Sequence, residues 1–151
     1  MRTVPNPPPI HSKTTILGFY GAGAEQTHKT KHVLEGDEPA VLLGEDYGAN
    51  AVEAVLHALA SCLGVGFVYN AAAKGIKIES LEFDIEGSLD LQGFLGLSKT
   101  IRPGYEDITV RYKVQADATR GQLEELCEYV QKTSPVLDVI KNPVKVRVEL
   151  E

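Results

Sequence analysis

The hydrophobic pattern changes period several times along the chain, and each change marks a predicted element. Thr14 to Tyr20 is rich in β-branched and aromatic residues. Gly21-Ala22-Gly23 interrupts it, and a second strand-like run extends from Gln26 to Leu34. The cluster Glu35-Gly36-Asp37-Glu38-Pro39 reads as a turn, and Ala40-Val41-Leu42-Leu43 as a further short apolar piece of a region of strands and turns. From Ala51 the pattern becomes apolar nearly all round, which predicts a long helix buried on most faces. Asn50 is a suitable N-cap, Glu53 completes a box close to the capping signature, and Gly75 supplies a stop just past Lys74. Gly64 and Gly66 each cost about 1 kcal/mol of helix propensity, so they predict places where another helix approaches closely.

Period-two alternation returns after Gly75. Ile76 and Ile78 share one parity, Leu81, Phe83 and Ile85 the other, which predicts a bulge near Glu79-Ser80. Leu89 to Gly93 leads toward a loop that ends at Arg102-Pro103-Gly104. Ile108, Val110, Tyr112, Val114 and Ala116 then define a half-buried strand. Ala118 to Thr133 is amphipathic, with Leu123, Leu126, Cys127 and Val130 on one stripe. Pro135 disfavours helix at the residue before it and separates a short helix, Ser134 to Ile140. Val144, Val146, Val148 and Leu150 predict a last strand. The order of strands, long helix, strands, two helices and strand indicates an α+β class with antiparallel sheets. The long helix is too apolar for a chain of 151 residues to cover alone, which points to a homodimer.

Composition narrows the partners. A formal charge of −6 without any lysine or arginine run argues against nucleic acid and anionic membranes. The longest apolar stretch, Ala54 to Tyr69, falls short of the roughly 20 residues a bilayer needs and is broken by His57, Ser61 and two glycines. Four prolines in the first nine residues predict an extended arm over 1–12, preceding a single domain over 13–151. The start shows no secretory signal, and the expected location is cytoplasmic. Cys62 and Cys127 are the only cysteines, without CxxC or zinc spacing, so reduced thiols are expected rather than a structural disulfide. No cofactor is implied.

Chemistry concentrates in the long helix. His57-Ala58-Leu59-Ala60-Ser61-Cys62-Leu63 places a cysteine behind a run of small residues. Downstream stand Ala73-Lys74-Gly75-Ile76, the stretch from Gly87 through Leu91, Phe94 and Leu95 to Gly96, and Thr133-Ser134-Pro135-Val136. In order and spacing these segments resemble the osmotically inducible protein C (OsmC) and organic hydroperoxide resistance family, over about Thr27 to Leu150. The resemblance implies an intertwined homodimer with two central helices back to back and active sites at the subunit interface. It also implies a helix cysteine that attacks a peroxide oxygen, a second cysteine before a Pro-Val that closes a disulfide, and an arginine and a glutamate that hold the thiolate. Cys62 matches the attacking cysteine. The resolving position is Ser134, which cannot form a disulfide. The usual glutamate falls on Val52, with Glu53 rotated about 100° round the helix. No arginine lies between Thr3 and Arg102, so the cation from the N-terminal strands is His28, Lys29, Lys31 or none.

A thiol with an ordinary pKa near 8.5 is mostly protonated at neutral pH, so reactivity requires a nearby cation. Glu53 and His57, four residues apart, are expected to pair and favour imidazolium, with His28 as a further contributor. Blander readings stand beside these. Cys62 and Cys127 are each a small core hydrophobe, His57 a satisfied helix histidine, and Glu53 a helix-terminal charge. Ser134 is then a helix N-cap, and the stretch that holds Phe94 serves packing rather than an apolar pocket. His28 and His32 are surface histidines rather than metal ligands, since no third ligand is evident. Two functions follow. The first is a one-cysteine peroxidase that reduces organic hydroperoxides with an external thiol, in defence against oxidative stress. The second is a non-catalytic dimer that binds a small apolar ligand or senses redox state.

Overall fold

The computed structural model describes residues 10–150, so most of the expected proline-rich arm lies outside them. The chain divides into two compact units, residues 1–54 and 55–151. The first unit is a hairpin of β1 (Ser12–Gly21) and β2 (Ala24–Gly36), joined by Ala22-Gly23. Both turn residues have positive φ, 52° and 80°. That combination defines the two-residue turn whose twist suits a hairpin. The ladder slips once. Ile16 pairs with His32 and Gly18 with Thr27, so β2 spends His28 to Lys31 where β1 spends only Leu17. Beyond β2 the chain closes around Asp37, which is buried and accepts from the backbone N–H groups of Glu38, Glu45 and Tyr47 at 2.8, 3.1 and 3.2 Å. Ala40-Val41-Leu42, expected among the strands, forms a single 3-10 turn instead. A lone apolar tetrapeptide has no neighbouring strand there to complete a ladder.

The long helix, α1 (Ala51–Ala73), starts as expected. Asn50 Oδ1 accepts from Glu53 N, and Glu53 Oε2 accepts from Asn50 N, both at 2.9 Å. Gly75, at φ 69°, ends it. Within the second unit α1 lies against a hairpin of β3 (Ile78–Ser88) and β4 (Asp107–Ala116) and against α3 (Arg120–Thr133). The register of β3 slips between Ile78 and Ser80, at the expected bulge. One turn of helix, α2 (Leu91–Phe94), capped by Asp90, stands where a loop was expected. After α3 comes α4 (Pro135–Lys141). The architecture is therefore α+β with antiparallel hairpins.

The core is narrow. Leu59, Leu63, Phe67 and Ala71 recur every four residues on α1 and meet Leu126 and Val130 of α3, with Ile76 beside them. Phe67 and Phe83 both stack on Tyr112 of β4, at centroid distances of 5.5 and 4.8 Å. The expectation that α1 is buried on most faces is not met. Only this stripe is covered, while Val55, Val65, Val68 and Tyr69 stay exposed. A single chain supplies neighbours for one face only. At 23 residues α1 is also long and apolar enough to cross a membrane by length and composition, and one stripe of it packs on α3 and the β3–β4 hairpin. The expected final strand does not form either. Residues 143–150 carry no ladder, and Val148 and Leu150 are fully open to solvent. An alternating sequence becomes a strand only when an edge accepts its hydrogen bonds.

Candidate functional site

The break between α3 and α4 builds the site. Pro135 takes the first position of α4, where its missing N–H is harmless, and holds Ser134 extended at φ −75°, ψ 114°. Ser134 thereby caps α4, its Oγ accepting from Leu137 N at 3.2 Å. The same Oγ lies 3.1 Å from Cys62 Sγ. Ser134 is only 5% exposed, so this contact is sheltered from bulk water.

Gly66 explains how the two helices come so close. A Cβ there would stand 3.1 Å from Val130 Cγ1, tighter than ordinary packing. Gly66 follows Cys62 by one turn, and Val130 precedes Ser134 by one turn. The close approach at Gly66 and Val130 thus sets the spacing at Cys62 and Ser134. Of the two helix glycines, Gly66 accommodates another helix as expected, whereas Gly64 makes room for the Phe83 ring of β3.

A cavity of about 430 Å³ opens over this pair, lined also by Ser61, Val65, Gly66, Val130, Thr133 and Pro135. None of these residues is charged. Such a lining suits a small apolar molecule with one polar end. A second groove, holding His57, shares Ser61 and Val65 with the first. His57 is exposed, and its Nε2 lies 3.5 Å from Ser61 Oγ, at the limit of a hydrogen bond.

The expected pairing of Glu53 with His57 does not occur. Glu53 turns back to cap the helix and His57 reaches forward to Ser61, so each carries another partner. The N-terminal cap competes for Glu53 because helix N–H groups there have no partner within the helix. His28 belongs to the first unit, where its ring stacks against Phe19 and His32 at centroid distances of 5.8 and 4.6 Å. No cluster of three metal-ligating side chains occurs among the described residues. Phe94, on α2, is exposed and absent from the lining of the Cys62 cavity.

Cys127 stands apart from Cys62. It lines a different cavity of about 660 Å³ together with Leu59, Leu63 and Tyr112, and the two cavities share no residue. Burial pushes its thiol up from the ordinary value, and Glu124 adds to the shift. Both cysteines are free. Sequence reasoning identified Cys62 and Ser134 separately, and named Val130 and Thr133 without assigning either to the site. The signals available were the one-turn spacing of Val130 from Ser134 and the adjacency of Thr133 to it.

The geometry agrees with the comparisons to known proteins. A family model described as OsmC-like protein matches residues 44–149, more than half of the chain. No curated protein sequence matches. Among solved structures, an OsmC-like protein from Mycoplasma pneumoniae is similar at 18% identity and TM-score 0.62, covering 88% of each chain. An OsmC-like protein of unknown function from Vibrio cholerae is 16% identical with TM-score 0.58, covering 85% of this chain and 91% of that one. A Legionella pneumophila protein described as an organic hydroperoxide resistance protein is 16% identical with TM-score 0.56, covering 87% and 89%. At these identities the likeness is one of fold.

Proposed function

The chain belongs to the OsmC-like protein family, and on that premise we propose that it is a one-cysteine peroxidase reducing organic hydroperoxides at Cys62. The observation that carries this reading is the half-buried Cys62 thiol facing a hydroxyl within an uncharged cavity. In the proposed step the Cys62 thiolate attacks the outer peroxide oxygen. The O–O bond breaks, an S–O bond forms, and the peroxide leaves as an alcohol once protonated. Sulfur becomes a sulfenic acid. A hydroxyl at position 134 cannot close a disulfide, and Cys127 belongs to another cavity, so an external thiol completes the cycle. Its sulfur displaces water to give a mixed disulfide, and a second thiol releases Cys62.

We assign the working form as a homodimer. Supporting this are the exposed apolar face of α1, the uncovered first hairpin and the unpaired tail at 143–150. These are surfaces that a second copy would cover to complete one domain from the two units. Free thiols suit a reducing compartment such as the cytoplasm.

The test is steady-state consumption of cumene hydroperoxide with dithiothreitol or dihydrolipoamide. Turnover in the wild type that vanishes in Cys62→Ser is the expected result. Equal consumption by both proteins, or none by either, rejects the peroxidase. The apolar lining supports a second reading in the latter case, a dimer that binds a small apolar ligand beside a structural Cys62.

A further inference from the structure

Ser134 does more than cap α4. We propose that it is a positioning residue for Cys62, its hydroxyl donating to the sulfur as a thiolate and then to the sulfenic acid formed there. The inference rests on the peroxidase reading for its second half alone.

The direction of the bond follows from the protonation state of sulfur and from the other partner of Ser134. One lone pair of Ser134 Oγ is taken by the Leu137 N–H. Its own O–H has Cys62 Sγ as the partner in reach, at 3.1 Å. While Cys62 is a thiol either group can donate, but a thiolate can only accept. The bond therefore strengthens as negative charge develops on sulfur, and it favours that charged form. Among the described residues no second hydrogen bond reaches Cys62 Sγ. Thr133, which lines the same cavity, donates its hydroxyl to Tyr129 O at 3.0 Å. His57 of α1 is turned to Ser61, while on α3 Lys132 faces Glu128 at 3.8 Å. The cavity lining carries no charge.

Oxidation leaves the same donor beside the new S–OH group. Since no second sulfur is present there, the sulfenic acid stays open to the cavity mouth for a small external thiol. A cysteine at this place would consume it internally. The serine thus makes the oxidised state wait for its reductant, which assigns the reductant to small thiols able to enter an apolar cavity of about 430 Å³.

The experiment uses the full chain with Cys127→Ala, leaving Cys62 as its single thiol. The rate of alkylation by iodoacetamide is followed against pH, with the ultraviolet absorbance of the thiolate as an independent readout. Removing the hydroxyl by Ser134→Ala is expected to displace the profile, seen as a roughly tenfold slower reaction at neutral pH. Ser134→Gly, a residue tolerated at helix N-caps, gives the same shift without depending on the cap. Ser134→Thr, which keeps the hydroxyl, restores the original profile. If the alanine and glycine profiles superimpose on that of Ser134, the serine is a helix cap and nothing more. A shifted profile in a protein that consumes no hydroperoxide rejects the peroxidase instead, and leaves the thiolate role intact.

Discussion

The first hairpin and the second unit are built on opposite principles. In β1 and β2 almost every side chain is exposed, including Leu17, Phe19, Tyr20 and Leu34, and among the described residues of this unit only Asp37 is buried. What holds this unit is hydrogen bonding: the ladder, the turn at Ala22-Gly23, and the three N–H groups that converge on Asp37. In the second unit the order is reversed. A stripe of α1 residues packs on α3 and the β3–β4 hairpin, and the polar features sit at the ends of elements. A two-stranded ribbon without an apolar cover is marginal in water. The difference therefore teaches which part of the chain covers its own apolar surface and which part leaves it open. The core that carries Cys62 is formed from its own residues, whereas the hairpin and the tail expose apolar side chains with nothing over them.

The largest break in this contrast comes from the second unit. Phe67 is fully buried at the centre of the core, between α1, α3 and Tyr112. Phe67→Ala leaves a cavity that the surrounding helices cannot fill, at an expected cost of about 3–5 kcal/mol. Urea unfolding checks it. A loss below about 1 kcal/mol would show that the core is not where stability resides.

A smaller change sharpens the link between packing and chemistry. Gly66→Ala gains about 1 kcal/mol of helix propensity but drives a methyl group against Val130, and overpacking costs typically 1–3 kcal/mol. The overpacking outweighs the gain, so the expected net destabilisation is about 1 kcal/mol. Its clearer effect is on Cys62. Forcing α1 and α3 apart lengthens the contact with Ser134, and slower alkylation of Cys62 is the expected sign. Unchanged alkylation would show that the spacing is set elsewhere.

Much of this could be read from local sequence. The box at Asn50 and Glu53, the bulge near Ser80, and the break at Pro135 are all properties of short stretches, and each stands where expected. Cys62 and Ser134 were also recognisable as candidates. Their contact was not, because it depends on a helix crossing fixed by Gly66 and Val130, and no short-range pattern encodes a crossing. The pairing of Glu53 with His57 failed for a related reason. Correct spacing on a helix does not decide between partners when a terminal N–H is also available. The failure of Val144 to Leu150 to form a strand is different again: the alternation is present, and the partner edge is missing.

The smallest effect belongs to the first unit and is reached by acid. Burial alone would raise the carboxyl of Asp37, but the N–H groups of Glu38, Tyr47 and Glu45 outweigh it, and the group is held below its ordinary value. A carboxylate depressed in the folded state contributes stability above its unfolded pKa of about 3.9, and that contribution fades as pH falls through the folded value. The loop around Asp37 is therefore expected to loosen only in strong acid. Amide exchange at Glu45 and Tyr47 should accelerate there, ahead of exchange at Leu63 and Phe67 in the core. Asp37→Asn, which keeps an acceptor oxygen but no charge, should accelerate the same amides at neutral pH and abolish the acid dependence. If those amides exchange alike in both proteins at every pH, the carboxylate is not what holds the loop, and the hairpin unit is held together in some other way.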